Sequence, residues 1–404
     1  MMKTKYPAKI TEFGLLLFAA TIGISHVPAQ FGIAFAFLGW LLEGIVNKNW
    51  QIRMDWFVVV LGAYLSWNAL SSALSPRPMH SLMALVDNEW PALLMLMMFW
   101  TIRESKTLGR LITAFLVSSS IAMVYAIWQS VYGIELYRNM LLDPMERFYR
   151  SVGFYGFYLT FAAYAMTVCC VSTAFILESK SPTRWRWLVV PIVSFVAVIL
   201  TFARSIWLSF AGILPLLGLL SGKKRDLAIA AVSLIVFATA IAIVPALRHR
   251  AVSVLDSGQN ATRINLWNTA LNMSKDFRVI GIGEDNFDFY FEKYKVDGFY
   301  DTTVHAHNDY LTVLVSSGIP GLMLFLTLWG IALKKGIQTW RASKDEVVRA
   351  AALGGALSLG GLLIGALFQN YYGTFVNCLG WWFMTGLVFS AFRIQRDADR
   401  ANPG

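Results

Sequence analysis

Leu188–Leu220 reads LVVPIVSFVAVILTFARSIWLSFAGILPLLGLL and holds a single charged side chain, Arg204. A helix needs about 20 apolar residues to cross the hydrocarbon core of a bilayer, so this run belongs in a membrane. It can be drawn as one very long helix. Two short helices with a turn at Arg204 account for it better, because the guanidinium interrupts the run midway. Arginine at membrane depth costs about 2.5 kcal/mol or more unless it is paired or hydrated. Arg204 therefore marks either a functional site or a side chain snorkelling to the headgroups.

The whole chain has the same character. Of its 404 residues 57% are hydrophobic and 14% charged, whereas soluble domains average about 25% charged. Fifteen Trp and 28 Phe fit a membrane chain, whose interfaces Trp marks. Apolar runs fall at 13–25, 29–46, 55–74, 83–102, 111–130, 153–177, 188–203, 205–220, 227–245, 310–333, 350–368 and 379–392. They predict an all-α polytopic membrane protein with about 12 transmembrane helices. Its organisation is nine spans in 1–245, a loop domain in 246–309, and three spans with a short tail in 310–404.

The net charge of +10 suggests nucleic acid until its distribution is read. With the N-terminus placed in the cytoplasm, the connections on that side carry 22 Lys and Arg. The opposite short segments carry five: Arg77, Arg138, Arg147, Arg150 and Arg204. This is the positive-inside pattern, and it makes the charge a matter of topology. Lys3, Lys5 and Lys9 precede an apolar run ending near Val27-Pro28-Ala29, which resembles a cleavable signal. The span that follows at once favours a retained first helix. Cys169, Cys170 and Cys378 give neither a disulfide framework nor metal spacing.

The outer side holds the two informative segments, 131–152 and 246–309. Trp267, Phe287, Tyr290, Tyr294 and Tyr300 are enough to pack a small helical cap. Arg263–Phe277 has helical apolar spacing, and 249–260 reads as a loop. Gly281-Ile282-Gly283 lacks the strand–turn–helix setting of a phosphate loop, which leaves two glycines closing a turn. Two of the five His stand in His305-Ala306-His307-Asn308. On residue type the pair suits zinc ligation, a plain interfacial role, or a general base for a sugar hydroxyl; no third ligand has convincing spacing. Asp87 and Glu89 lie toward the same side, where they suit pairing with Arg204 or a place at a hydrated interface. Arg150 and Arg263 are further outer guanidiniums, and several converging on one spot suit a diphosphate.

These residues resemble the O-antigen ligase and polymerase superfamily of bacterial membrane glycosyltransferases. His307-Asn308, nine residues and then Gly318 match the ligase pattern, and His305-Ala306-His307-Asn308 is similar to the family's His-Ser-His-Asn signature. Thr201-Phe202-Ala203-Arg204 resembles its Thr-X-Ser-Arg turn, with Ala203 where Ser is common. Arg263-Ile264-Asn265-Leu266-Trp267 resembles its Arg-X-X-X-Trp element. Gly281-Ile282-Gly283 with Phe287 resembles the turn before the histidines. Arg150-Ser151-Val152-Gly153-Phe154 is similar to a further segment, but the Asn-Pro that often follows is replaced by Phe157-Tyr158.

The resemblance implies a GT-C-like fold in the bacterial inner membrane, with cytoplasmic termini and a periplasmic active site. It implies a metal-independent, inverting transferase without a cofactor. The donor would be a glycan on undecaprenyl diphosphate, the acceptor lipid A–core, with membrane lipids around both and no nucleic acid. By that analogy His307, Arg204 and Arg263 are catalytic, and Arg204, Arg263 and Arg150 hold the diphosphate. His305, Asn308 and Asp87 support them. A polymerase shares the site; a protein-glycosylating relative, a lipid or polysaccharide transporter and a non-catalytic scaffold are the other readings.

Overall fold

The computed structural model describes residues 5–254, 256–300 and 305–401. Helices run in the order α1 Tyr6–Thr21, α2 His26–Val46, α3 Trp56–Ala73, α4 Pro78–Glu89, α5 Ala92–Thr101, α6 Ser105–Tyr132, α7 Tyr158–Glu178 and α8 Val189–Leu200. They continue as α9 Arg204–Ser221, α10 Lys224–Ile243, α11 Pro245–Val252, α12 Ser257–Asp276, α13 Phe287–Tyr294, α14 Asp309–Ala342, α15 Glu346–Gly365 and α16 Phe375–Ala401. Ten segments are long and apolar enough to cross a membrane, or 11 if α4 and α5 count as one span bent by 41°. Among the described residues the only strands are two small antiparallel hairpins, Ile134–Glu135 with Met140–Leu141 and Pro144–Met145 with Phe148–Tyr149. The protein is an all-α polytopic membrane protein.

All twelve apolar runs fall on helices, with three corrections. The run 83–102 is two helices meeting at Trp90-Pro91, since proline cannot donate to the helical ladder there. The run 310–333 belongs to a helix that reaches Ala342 and is broken at Gly318, where φ is 68° and ψ −172°. The expected loop 249–260 is mostly helical, the end of α11 and the start of α12. By contrast, the turn at Arg204 stands as the sequence suggested: α8 ends at Leu200 and α9 begins at Arg204.

The core sits where helices are apolar all round. Tyr158–Glu178 is buried along almost its whole length and packs against α15, with α16 alongside. α10 lies at the rim, with only Asp226 and Ala230 buried. Contacts near the helix ends close in two separate sets. At one end Lys335 meets Asp55, Arg53 meets Asp397, and Arg225 donates to the Leu177 carbonyl. At the other, Arg77 meets Asp288, His249 meets Glu146, and Tyr155 donates to the Ile22 carbonyl. The basic short connections thus share one end, and 131–157 shares the other with the cap; this second face is called the Arg204 end below.

The cap has its own small core. Leu266, Ala270, Met273, Ile282, Phe287 and Phe291 pack with Val315 of α14, flanked by Tyr290, Tyr294 and Tyr300. It docks by backbone pairing into the break in α14: Ile282 and Gly283 donate to the Val315 and Ser316 carbonyls, and Ile319 donates to the Arg278 carbonyl. That seam explains the glycines. A Cβ on Gly318 would lie 2.1 Å from the Val279 oxygen, and one on Gly281 2.3 Å from the Ser316 oxygen. Arg77, just before α4, straps the far side to Asn286, Asp285 and Asp288. Glu284 is held among these groups. Burial, and then the neighbouring Asp285 charge, push its carboxyl up to about 7, against a hydrogen bond from Asn88.

Gly318→Ala is expected to destabilise the fold by roughly 1–3 kcal/mol, because its backbone lies in a region essentially reserved for glycine. A lowered melting temperature in detergent, with faster amide exchange at 278–283, is the readout; unchanged values would show that the seam gives way freely. Glu284 adds a pH test. Its pKa is raised in the fold, so the neutral form is favoured there. The stability it contributes is complete below about 4.5, its ordinary value, and is lost as pH rises through about 7. The melting temperature should therefore fall over that window, and Glu284→Gln should flatten the fall.

Candidate active site

At the Arg204 end the chain leaves α8 through a tight turn. Phe202 is buried with a positive φ of 54°, and the Thr201 hydroxyl accepts from the Ala203 amide. The turn places Arg204 as the first residue of α9, where unpaired amides and the helix dipole favour an anion. The side chain is only 8% exposed. It does not pair with Asp87 or Glu89 as expected. Its two terminal nitrogens donate to Ser253, on both carbonyl and hydroxyl, and to Asn260 of α12. Asp87 is exposed on α4, while Glu89 is buried and accepts from the Tyr372 hydroxyl. The physical reason is position: α4 packs on α3 and α16, whereas Arg204 is covered by the segment joining α11 to α12.

Arg204 and Arg263 line one cavity of about 220 Å3, with Ser205, Asn260, Trp267 and Phe368. Two more guanidiniums stand close by. Arg150 follows the second hairpin, lies over the Tyr158 ring at 4.2 Å and pairs with Asp143 at 3.2 Å. The segment after it is pinned by Gln129, which donates to the Gly153 carbonyl and accepts from the Val152 amide. Arg250 of α11 donates to the Phe202 carbonyl exposed by the turn. Its guanidinium is pushed down to about 10, first by burial and then by the charges of Arg204, Arg150 and Arg263. Four arginines thus feel one another. Sequence reading passed over Arg250; its nearness depends on α11 being a helix that turns back over the 201–204 turn.

His307 sits on the link from cap to α14. Its φ is positive, 49°, and its ring meets that of His305 edge-on with centroids 4.6 Å apart. Asn308 caps α14 by accepting from the Leu311 amide and donates to the Leu367 carbonyl. Asp309 accepts from the amides of Tyr371, Tyr372 and Gly373. This segment is therefore clamped onto the turn between α15 and α16. The same turn supplies Gln369, whose Oε1 lies 2.9 Å from His307 Nδ1. An amide oxygen only accepts, so the pairing with Gln369 Oε1 calls for the proton on Nδ1. Gln369 was not singled out in the sequence; no local spacing ties it to a histidine 62 residues away. The turn also joins the histidine to the arginines. Tyr371 is 2.7 Å from the Ser205 hydroxyl, and Phe368 is part of the Arg204 cavity and contacts Trp267. Among the described residues no three His, Cys, Asp or Glu side chains converge as metal ligands would.

Bundle and site together define a polytopic membrane protein with a guanidinium-lined cavity beneath a small cap, and an imidazole held by the turn that also lines that cavity through Phe368. Residues 187–326 match the family model described as O-antigen ligase. That stretch, a minority of the chain, is similar to the family, and the match supports the resemblance drawn from the motifs. The matched stretch includes Arg204, Arg250, Arg263, His305 and His307, and leaves out Arg150 and Gln369. No curated protein matches the chain.

Replacing Gln369 tests the clamp. Gln369→Leu should release the His307 tautomer, seen by nitrogen NMR as Nε2 gaining proton occupancy, while Gln369→Glu should keep the proton on Nδ1. An unchanged imidazole spectrum in the leucine variant would mean that Gln369 does not orient the ring.

Proposed function

We propose that the protein is an O-antigen ligase. It would transfer a glycan from undecaprenyl diphosphate to a sugar hydroxyl of lipid A–core, in the bacterial inner membrane, with the site facing the periplasm. The observation that carries this reading is the convergence of Arg204 and Arg263 on one cavity at the end of the bundle that also holds His307. A diphosphate leaves readily once its charge is neutralised, and planar guanidiniums match its oxygens in pairs.

In the reaction, His307 Nε2 takes the proton of the acceptor hydroxyl as its oxygen attacks the anomeric carbon. The bond from that carbon to the diphosphate oxygen breaks, and Arg204 and Arg263, with Arg150 in support, receive the developing negative charge. Attack from the face opposite the leaving group inverts the anomeric centre. Gln369 keeps Nδ1 protonated, so that Nε2 is the basic nitrogen. Both substrates are lipid-anchored, and a site at the membrane surface can receive them sideways. A polymerase of the same superfamily could use the same groups. The spacing from His307-Asn308 to Gly318 favours the ligase.

The test is transfer in vitro from an undecaprenyl-diphosphate glycan, comparing lipid A–core, a second glycan donor and a peptide as acceptors. Lipid A–core should be glycosylated; elongation of the donor alone would favour the polymerase. His307→Ala should reduce transfer by about a hundredfold or more. Arg204→Lys should also fail, because it keeps the charge and loses the fork; full activity there would reduce Arg204 to a snorkelling side chain.

A further inference from the structure

A second cavity lies at the end away from Arg204. It has a volume of about 580 Å3 and is enclosed by α7, α8, α9 and α10, with apolar walls such as Ile176, Leu188, Ile192, Leu214, Ile229 and Val232. Toward the Arg204 side Phe237 of α10 contacts Phe195 of α8 and Trp207 of α9, with ring centroids 6.1 and 5.7 Å away. Below those rings the cavity lies between α8 and α10. On α10 the cavity wall runs from Arg225 to Val236, which at 1.5 Å per residue is about 17 Å. That is roughly half of the 30 Å hydrocarbon core.

The mouth has a different chemistry. Arg184 and Arg225 line it together with Trp185, and Arg186, Lys223 and Lys224 are exposed alongside. Arg225 shares Asp226 at 2.8 Å, while Arg184 donates to the Ser179 carbonyl and lies 4.9 Å from the Trp185 ring.

We propose that this groove is a binding site for one anionic phospholipid of the leaflet opposite the Arg204 end. A gap of this size within the bilayer is filled by hydrocarbon, because its walls offer water almost no partners. The depth suits a single acyl chain of one leaflet. The aromatic closure stops a longer polyprenyl chain from threading through to the other. The excess of basic groups at the mouth selects a negative headgroup, each worth about 1 kcal/mol near a membrane surface. Bound there, the lipid would wedge α10 against α8 and α9, the elements that lead to Arg250 and Arg204.

The experiment uses the full chain, delipidated in detergent, with dioleoyl phosphatidylglycerol, dioleoyl phosphatidylcholine or glycerol 3-phosphate added, and reads native mass spectra and melting temperature. One phosphatidylglycerol per chain should be retained, roughly tenfold tighter than phosphatidylcholine, with a higher melting temperature; glycerol 3-phosphate should do neither. Arg184→Gln with Arg225→Gln should erase the preference. Val232→Trp, which fills the groove and leaves the mouth intact, should abolish retention and decides the matter should the double variant not fold. Equal retention of both lipids, a preference that survives either variant, or an equal effect of glycerol 3-phosphate would overturn the assignment. None of these readouts depends on transferase activity.

Discussion

Like charges gathered out of bulk water repel, and the Arg204 end of this bundle gathers four of them. Arg204, Arg250, Arg263 and Arg150 stand within electrostatic reach of one another. Arg204 donates to neutral oxygens of Ser253 and Asn260, with the Asp256 charge acting on it as well, and Arg150 is paired with Asp143. Neutral acceptors satisfy the N–H groups without cancelling the charge, so the cluster is hydrogen-bonded and still strongly positive. Such a cluster suits the diphosphate proposed as its ligand. The fold bears this strain because the groups sit on separate elements: a helix start, a strand-hairpin exit and two cap helices. Each is held by backbone contacts that do not involve the charge.

The imidazole is built on the opposite principle. Nearly every polar group in 307–309 has a defined partner on 366–373. Asp309 collects three backbone amides, Asn308 bridges a helix start to a carbonyl, and Gln369 faces Nδ1. Such over-determination sustains a positive φ at a histidine, an uncommon conformation outside glycine. The arginine cluster is open toward a ligand, and the histidine is fixed by a satisfied network. Those are the respective needs of the diphosphate-binding and proton-accepting roles proposed for them.

The sequence revealed the parts of this arrangement that are local. Apolar runs located the spans because lipid leaves the backbone no other way to satisfy itself. Arg204 was legible as a break because a charge in an apolar run has few explanations. The histidines were legible by rarity. What stayed hidden is what tertiary contact creates. Arg250 looked like one of seven basic residues in a long loop, since nothing local shows that its chain folds back onto Phe202. Gln369 sat in an ordinary helix connection. Of the two readings open for Asp87, its exposure fits the hydrated interface, and sidedness along a helix could not choose between them without knowing which neighbours α4 faces.

Gly281 and Gly318 show how a motif can be recognised before it is understood. A pair of glycines near Gly283 suggests a turn or a phosphate cradle, and the glycine eleven residues after His307 is only a position in a pattern. Their cause is mutual. The cap's backbone enters a gap in α14, and at both points a side chain would occupy a carbonyl of the other segment. Breaking α14 there leaves its first turns, which carry Asn308 and Asp309, attached to the cap and to the 366–373 turn more than to the long span that follows. The histidine is thereby mounted on a short helix that the cap grips through Val315 and Ser316. The cap is held here as well as through the Arg77 strap, so the residues between His307 and Gly318 form the short connection from the imidazole to the break in α14.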